Sequence, residues 1–321
     1  MQFIDENKNH RDGGGLLWRV EPIIQVLASI FDDSISSSGY YEFKRRLPSP
    51  RSECDALRKE VILEAFVSNY SCYGVVKIWK YLKNQDYYIP RCTVARLMKE
   101  LGIQGCRRGK IKKTTISGKD KINSDDLVKR VFQAGSPNKL WVADFTYVST
   151  QQGWVYTALV TDVFARRILG WSCNREMTDR LVTDAFKMAS YTRALEGNRD
   201  FSDLIHHNDK GCQYTSGNFR SLLSLHGIRT SIGSVGDSFD NALAETMIGI
   251  YKTELIRNNR TWYNYGQLNL ETVRWVNWYN NQRISQYNNW KTPEYHGVIQ
   301  RLDRFQLTPL PLINQQSRRQ F

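Results

Sequence analysis

The sequence predicts an α/β protein whose main domain is a mixed β-sheet flanked by helices, preceded by small all-α units of the helix-turn-helix type. Two observations predict this class. From Pro137 onward, three runs rich in β-branched and aromatic residues follow one another, and helix-like and strand-like runs then alternate. Before that point, apolar residues recur at helical spacing over 53–105. The predicted domains are 1–47, 48–106, 107–136, 137–260 and 261–321.

Residues 1–47 are predicted to be a leader followed by a short helical segment. The first 15 residues end in three glycines and are expected to be a loose leader. A short helix is expected from Pro22, because proline suits the first turn of a helix. A second short helix includes Tyr40 and Tyr41, and the run 48–50 indicates a linker.

Residues 48–106 are predicted to form three helices in a helix-turn-helix-like DNA-binding domain. The third helix, at 91–101, has an apolar face made of Val94, Leu97, Met98 and Leu101. Its opposite face carries the basic residues Arg91, Arg96 and Lys99. A helix that carries basic groups outward after a short turn can enter the DNA major groove. A small helical bundle with a solvated basic face is the alternative.

Residues 107–136 are predicted to be a basic linker, because glycines at 105, 109 and 118 disfavour a stable helix. The basic residues expected to contact DNA here are Arg107, Arg108, Lys110, Lys112 and Lys113. Such a segment can follow a phosphate backbone while reading little sequence. A plain solvated linker is the alternative.

Residues 137–260 are predicted to form the sheet and its helices. Strands are expected at 140–150, 154–164, 166–175, 203–209 and 228–232, and helices at 179–196, 218–226 and 241–256. Three meandering strands followed by alternating helices and strands are the order of an RNase H-like core. Residues 261–321 are predicted to be a helical extension and tail. The helical spacing of Leu268, Trp275 and Tyr279 favours a core face over a base-stacking surface.

The charge balance indicates a polyanionic partner. Of the 321 residues, 45 are Lys or Arg and 32 are Asp or Glu, which leaves a formal net charge of +13. A surplus of this sign attracts nucleic acid. The six cysteines form no Cys-x-x-Cys pair and complete no zinc spacing with the five histidines, so reduced thiols are expected. No membrane-spanning run or signal peptide is apparent, and a cytoplasmic protein is expected.

Three carboxylates stand out, and Asp144 is the first. It lies within an apolar strand, where an isolated carboxylate is costly unless a cation or hydrogen bonds compensate it. A bound metal would be sufficient, and backbone amides are the alternative. Asp209 is predicted at the carboxyl end of a strand, the edge where ligand sites collect in helix-covered sheets. A turn-stabilising role is the alternative for Asp209.

The third carboxylate, Glu245, lies on the last helix of the core. Asn241, Glu245 and Lys252 share one face at i, i+4 and i+11, while Leu243 and Met247 fall on the opposite, apolar face. Glu254 also falls on that apolar face, where only exposure at the helix end would explain it. Asp240 is the expected N-cap.

Three carboxylate ligands suit Mg²⁺ or Mn²⁺, not zinc. Two such ions about 3.5–4 Å apart can clamp an in-line displacement at phosphorus. The protein then needs no covalent nucleophile, and no convincing Ser-His-Asp or Cys-His arrangement is found. Asp162 is a weaker fourth candidate, since bracing a hairpin beside Arg166 and Arg167 accounts for it better. His206 and His207 are as consistent with packed strand residues as with DNA contact.

The motifs around these carboxylates carry a family resemblance. Residues 141–148 (WVADFTYV), 206–214 (HHNDKGCQY) and 240–245 (DNALAE) resemble the DDE transposases of bacterial insertion sequences, with 35 residues between Asp209 and Glu245. In particular, the chain is similar to the second-frame product of two-frame elements, whose catalytic core is similar to retroviral integrases. The resemblance covers about 20–295.

The resemblance implies metal-dependent cleavage at transposon ends and strand transfer of the freed 3′-hydroxyl into target DNA. It implies that Asp144, Asp209 and Glu245 hold two Mg²⁺ or Mn²⁺ ions, and that Lys252 and Asn241 position the DNA. A homo-oligomer of two or more copies on DNA is expected, with an upstream-frame product as a further partner. Relatives often have an Arg-x-His pair in this region, whereas here Arg283 is followed by Ile284 and Ser285, which weakens any role for the position but does not affect the triad.

Two other functions are consistent with these residues. An RNase H-like nuclease or resolvase would cut DNA without joining it. A helix-turn-helix repressor with an inactive core would only bind DNA, but the presence of all three carboxylates disfavours it.

Overall fold

The structure is a computed structural model that describes residues 1–31, 35–107, 126–233, 240–257 and 261–297. It divides into two compact units, Met1–Arg58 and Lys59–Phe321. In the described ranges, no helix combines the length and the apolar character needed to cross a bilayer.

The first unit contains the helices α1 (Gln2–Asn7), α2 (Val20–Ile30) and α3 (Ser37–Arg45) and the start of α4 (Pro50–Ser68). The two short helices predicted at 20–46 are confirmed. The loose leader is wrong, because residues 2–7 are helical and Ile4 is buried with Ile23. The Tyr40 hydroxyl also donates a hydrogen bond to Asp5 at 2.8 Å. One buried side chain, together with this hydrogen bond and an ion pair at 2.6 Å from Lys44 of α3 to Asp5, therefore orders a helix too short to show periodicity.

The second unit begins with a helical part, confirming the three helices predicted there. The end of α4 packs with α5 (Val75–Asn84) and α6 (Arg91–Glu100) around Phe66, Ile78 and Leu97. Gly105 lies against the N-terminus of α5, where a Cβ would stand 2.4 Å from the backbone nitrogen of Gly74. Only glycine allows this close approach.

The rest of the second unit is built on a five-stranded mixed sheet of order β3-β2-β1-β4-β5. The strands are β1 (Leu140–Thr150), β2 (Gly153–Asp162), β3 (Arg167–Asn174), β4 (Ile205–Asn208) and β5 (Arg229–Ile232). β1, β2 and β3 pair antiparallel, whereas β4 is parallel to β1 and β5 is parallel to β4. The strands confirm the predicted RNase H-like order. Their start and end residues lie within two positions of the predicted ones.

Helices cover both faces of this sheet. On one face, α7 (Asp179–Leu195) and α8 (Gly217–Leu225) pack through Phe186 and Phe219 against Trp141. On the other, α9 (Ala242–Tyr251) and α10 (Tyr265–Asn281) pack against the sheet. The predicted core face of α10 is confirmed, since Leu268, Trp275 and Tyr279 are all buried.

Two details of the predicted helix at 241–256 are corrected. Its last turn is a π-helical turn, Lys252–Ile256, which follows the regular helix α9. Asp240 is not the N-cap, because Asn241 occupies that position and Asp240 instead accepts a hydrogen bond from Arg130 Nε at 2.7 Å. A long-range ion pair therefore replaces the expected local cap.

Candidate active site

Asp144 and Asp209 lie side by side on adjacent parallel strands. In the register of β1 and β4, Val142 pairs with His207. Asp144 follows Val142 by two residues, and Asp209 follows His207 by two residues, just past the end of β4. Because parallel strands advance at the same rise per residue, the two aspartates reach the same level at this edge of the sheet. Both are partly buried.

Glu245 is brought to the same place by α9. It lies in the first turn of that helix, and it is exposed. The residue before α9, Asn241, donates a hydrogen bond from Nδ2 to the carbonyl oxygen of Ala143 at 3.2 Å. Leu243 and Val142 belong to the same buried cluster. The helix start is thus fixed to the strand residue that precedes Asp144.

The three carboxylates interact electrostatically. Burial raises the pKa of Asp144 to about 7, with the nearby charges of Asp209 and Glu245 adding to the shift. A hydrogen bond from the Phe145 amide at 2.8 Å and the charge of Lys252 oppose it. Burial also raises the pKa of Asp209, although the Gly211 amide donates a hydrogen bond to it at 3.1 Å. Burial and the two neighbouring carboxylates therefore favour the protonated form of Asp144.

Lys252 stands at the edge of this site. Its Nζ lies 5.2 Å from the ring centre of Tyr147, within the range of a cation–π contact. Burial and the charge of Arg257 lower the pKa of Lys252, while Asp144 acts in the opposite direction. Lys252 is thus the cation that faces Asp144 from α9's end.

Two polar atoms near the aspartates are buried without a hydrogen-bond partner among the described residues. They are Asn241 Oδ1 and the hydroxyl of Tyr214. Burial raises the pKa of Tyr214 well above its ordinary value, and the charges of Asp144 and Asp209 raise it further. Buried polar groups are normally satisfied, so these two atoms beside the carboxylates fit a site that takes a polar or cationic ligand.

A divalent cation fits this donor set. Within the described residues, no three His, Cys, Asp or Glu side chains already stand together as a metal-binding group. The oxygen donors and the raised pKa of Asp144 nevertheless match what Mg²⁺ or Mn²⁺ requires, namely hard ligands whose repulsion a cation would relieve.

His206 and His207 are packed strand residues. His206 lies fully buried between Phe186 and Phe219. His207 Nδ1 is 2.8 Å from Ser231 Oγ, and its Nε2 is 2.6 Å from the carbonyl oxygen of Asp240. These contacts fix β4 to β5 and to the segment before α9, and they leave neither ring exposed to DNA.

Asp162 is structural as well. Fully buried, it accepts a hydrogen bond from Arg193 at 2.6 Å and others from the backbone amides of Asn138 and Phe164. Asp162 therefore stabilises the hairpin as expected, but its cationic partner is Arg193 of α7 and not Arg166 or Arg167.

The basic residues predicted to contact DNA are only partly described. Arg91, Lys99 and Arg107 are exposed. Arg96 pairs with Glu100 at 2.8 Å, which also pairs with Lys59. Residues Arg108, Lys110, Lys112 and Lys113 lie outside the described residues.

One charged site was missed at the sequence level. Arg283 donates two hydrogen bonds, both of 2.7 Å, to the two carboxylate oxygens of Glu254, and Lys77 Nζ lies 3.5 Å from the same carboxylate. Burial alone would raise the pKa of Glu254, but the two cations outweigh it and hold the pKa below its usual value. A glutamate on an apolar helix face was the one sign of this ion pair in the sequence. The position of Glu254 does not reveal its partners, because Lys77 and Arg283 are far from it along the chain.

The candidate site thus has one carboxylate on β1, a second just past the parallel strand β4 and a third on a helix that covers the mixed sheet. Two models of the integrase core domain match residues 134–238 and 226–293, and a model of an HTH-like domain matches residues 53–110.

Transposases of insertion sequences are similar to this chain along most of their length. The chain is 47% identical over 253 residues to a putative transposase for insertion sequence element IS986/IS6110 of Mycobacterium tuberculosis, covering 79% of this chain and 91% of the relative. It is 42% identical over 255 residues to the transposase for IS629 of Shigella sonnei, covering 78% and 83%. The chain belongs to the insertion-sequence transposases that contain an integrase core domain.

Solved structures with similar chains include retroviral integrases. The catalytic core domain of HTLV-2 integrase, solved in complex with magnesium, covers 51% of this chain and 99% of its own length, with 19% identity and a TM-score of 0.39. A simian T-cell lymphotropic virus intasome covers 80% of each chain, with 14% identity and a TM-score of 0.43.

Proposed function

We propose that this transposase cleaves DNA at the ends of its element and transfers the freed 3′-hydroxyl into target DNA. The observation that carries the proposal is the group of interacting carboxylates Asp144, Asp209 and Glu245, in which Asp144 has a pKa raised to about 7. Perturbed carboxylates at the carboxyl end of a strand are typical of catalytic sites. Membership of the transposase family supports the same reaction class.

Asp144 and Asp209 would share the divalent cations, and Glu245 would complete the second position. Bound there, two Mg²⁺ or Mn²⁺ ions would activate the attacking oxygen and stabilise the leaving one. Asp144 must then be ionised, and bound cations would favour this by offsetting the burial and the repulsion from Asp209 that raise its pKa. Asn241, which the resemblance implies to position DNA, is buried and would also hold the backbone of β1 beside Asp144 through the Ala143 carbonyl.

DNA would approach from the exposed side of Glu245 and meet the cation Lys252 at the edge of the site. Arg91 and Lys99 on α6, together with Arg107, would contact further phosphates. Such contacts add affinity and little sequence information. Because two element ends must be joined in one event, the active form would contain at least two copies of the chain on DNA, with an upstream-frame product as a further partner.

A strand-transfer assay tests the proposal. Full-length protein is incubated with Mg²⁺ or Mn²⁺, a duplex carrying the element's end with a pre-cut 3′-hydroxyl, and a target plasmid. Joined products are expected from the wild type and none from Glu245→Gln. Asp203→Asn is the matched control, because Asp203 precedes β4, is exposed and forms its ion pair, at 2.6 Å, with the surface residue Lys139.

Two results would contradict the proposal. Hydrolysis of the duplex without any joined product would assign the chain to the nucleases that cut without joining. Equal joining by the wild type and Glu245→Gln would remove Glu245 from the reaction.

A further inference from the structure

An exposed pair of aromatic residues lies on the β1–β2 hairpin. The ring centres of Tyr147 and Trp154 are 5.3 Å apart, with an angle of 83° between the ring planes. Tyr147 pairs with Tyr156 in the antiparallel register, so Trp154 is its diagonal neighbour on the same face of the sheet. Tyr147 is 58% exposed and Trp154 is 54% exposed. More than half of the surface of each ring is therefore exposed to solvent.

The aromatic pair adjoins the carboxylate site. Tyr147 follows Asp144 by three residues on β1, which places their Cα atoms about 10 Å apart at the rise of a strand. Lys252 connects the two features, because its Nζ lies 5.2 Å from the Tyr147 ring centre and its charge lowers the pKa of Asp144. Residues three apart on a strand point to opposite faces, so the two features are linked through Lys252, which lies by the Tyr147 ring and whose charge acts on Asp144.

We propose that Tyr147 and Trp154 form a stacking surface for one DNA base that leaves the duplex near the cut phosphate. This inference rests on the proposed function. A nucleotide suits this surface, because its base can stack on the exposed rings and its phosphate can pair with Lys252. An apolar protein segment would instead bury the ammonium group without a partner, which is costly.

The distance limits which base is held. Stacked DNA advances about 3.4 Å per nucleotide along each strand. A separation of about 10 Å from Asp144 therefore selects a base within about three nucleotides of the phosphate at the carboxylates. Stacking on an aromatic side chain accepts any base, so this surface would favour unpairing at that place without reading the sequence.

The test compares DNA hairpins of three kinds, each with one open end. Each carries roughly the last 20 base pairs of the element. One of the three terminal positions is varied at a time, and its base pair is matched, mismatched or abasic on one strand. Dissociation constants are measured with the full-length chain in EDTA, so that neither cutting nor joining contributes to the readout.

For the wild type, the mismatched probe is expected to bind more tightly than the abasic one at one of the three positions, by about 5- to 150-fold. Trp154→Ala and Tyr147→Ala are expected to bring that ratio close to one, while Tyr147→Phe keeps it. Tyr191→Ala is the control, since Tyr191 is an equally exposed aromatic on α7. Both Trp154 and Tyr147 are exposed, so their substitution does not disturb the core.

Equal binding of mismatched and abasic probes by the wild type at all three positions, or no binding at all, would overturn the inference. So would an unchanged ratio in Trp154→Ala, or an equal loss in Tyr191→Ala. The outcome is separate from that of the proposed function: a chain that stacks the base but neither cuts nor joins keeps the ratio, and Glu245→Gln abolishes joining without changing it.

Discussion

Two acidic sites in the second unit have opposite electrostatic environments. Glu254 is buried, and Arg283 and Lys77 compensate it so well that its pKa falls below the usual value. Asp144 is partly buried, receives one backbone hydrogen bond and faces two further carboxylates, and its pKa rises to about 7. The fold thus provides cations where a carboxylate serves the architecture. Around Asp144, burial and two further carboxylates instead favour the protonated form.

The same helical segment serves both sites. Glu245 and Glu254 are nine residues apart, which at about 100° per residue places them on opposite sides of a regular helix. Glu245 faces the aspartates from the first turn of α9, whereas Glu254 points inward from the π-helical turn that ends it. Short π-helical segments occur frequently at functional sites. Here the turn orients a structural carboxylate and brings Lys252 beside Tyr147.

The largest effect is expected from Asp144→Asn. Removing this carboxylate should reduce joining by about 10³-fold or more, because several kcal/mol of transition-state stabilisation depend on the cations that it would hold. Joined product is quantified from the pre-cut end, with Asp203→Asn as the control. Joining activity within tenfold of the wild type would show that Asp144, like Glu254, has a structural role and does not hold catalytic cations.

Substitutions at the ion pair of Glu254 and Arg283 should change the stability of the fold. Arg283→Met leaves Glu254 buried without its bidentate partner, and a loss of roughly 3–5 kcal/mol in the free energy of unfolding is expected. The double variant Glu254→Leu/Arg283→Met should recover most of that loss, since no charge remains buried. Urea titration followed by circular dichroism measures both. A single variant that loses less than about 1 kcal/mol would mean that solvent reaches the site.

The pH dependence of stability should have opposite signs at the two sites. Since the pKa of Asp144 rises from 3.8 unfolded to about 7 folded, the folded state keeps a proton between those values that the unfolded state has lost. Stability contributed by the protonated group is therefore present below about pH 4 and is lost as pH rises to about 7, by up to roughly 4 kcal/mol. In EDTA, Asp144→Asn should exceed the wild type in unfolding free energy increasingly across this range. A constant difference would contradict the raised pKa.

The smallest effect concerns cation binding in the absence of DNA. At pH 8, Mn²⁺ at ten times its dissociation constant should stabilise the wild type by about 1.4 kcal/mol, which corresponds to a rise in Tm of a few degrees. Asp144→Asn should show no such rise, whereas Asp203→Asn should. Thermal denaturation with and without MnCl₂ measures it. Equal shifts in all three proteins would place the cation elsewhere.

Much of the fold could be predicted from local patterns. β1 has the predicted start and end residues, because its β-branched and aromatic residues form one uninterrupted apolar run. α1 was missed, since six residues with a single buried side chain are too few to show a period. Asp240 was assigned to a cap by a local rule, and its partner Arg130, 110 positions away, overrides that rule. The domain limits and the roles of the carboxylates remain predictions.

The element types, the excess of basic residues and three separated carboxylates within recognisable motifs could all be identified in the amino-acid sequence. Periodicity and composition are local properties, so the chain displays them without being folded. Only the tertiary structure decided that β4 lies parallel to β1 in the register that levels Asp209 with Asp144, and that Glu254 meets Arg283. The reason is physical: a pKa depends on distance and burial, which residues acquire only when the chain packs.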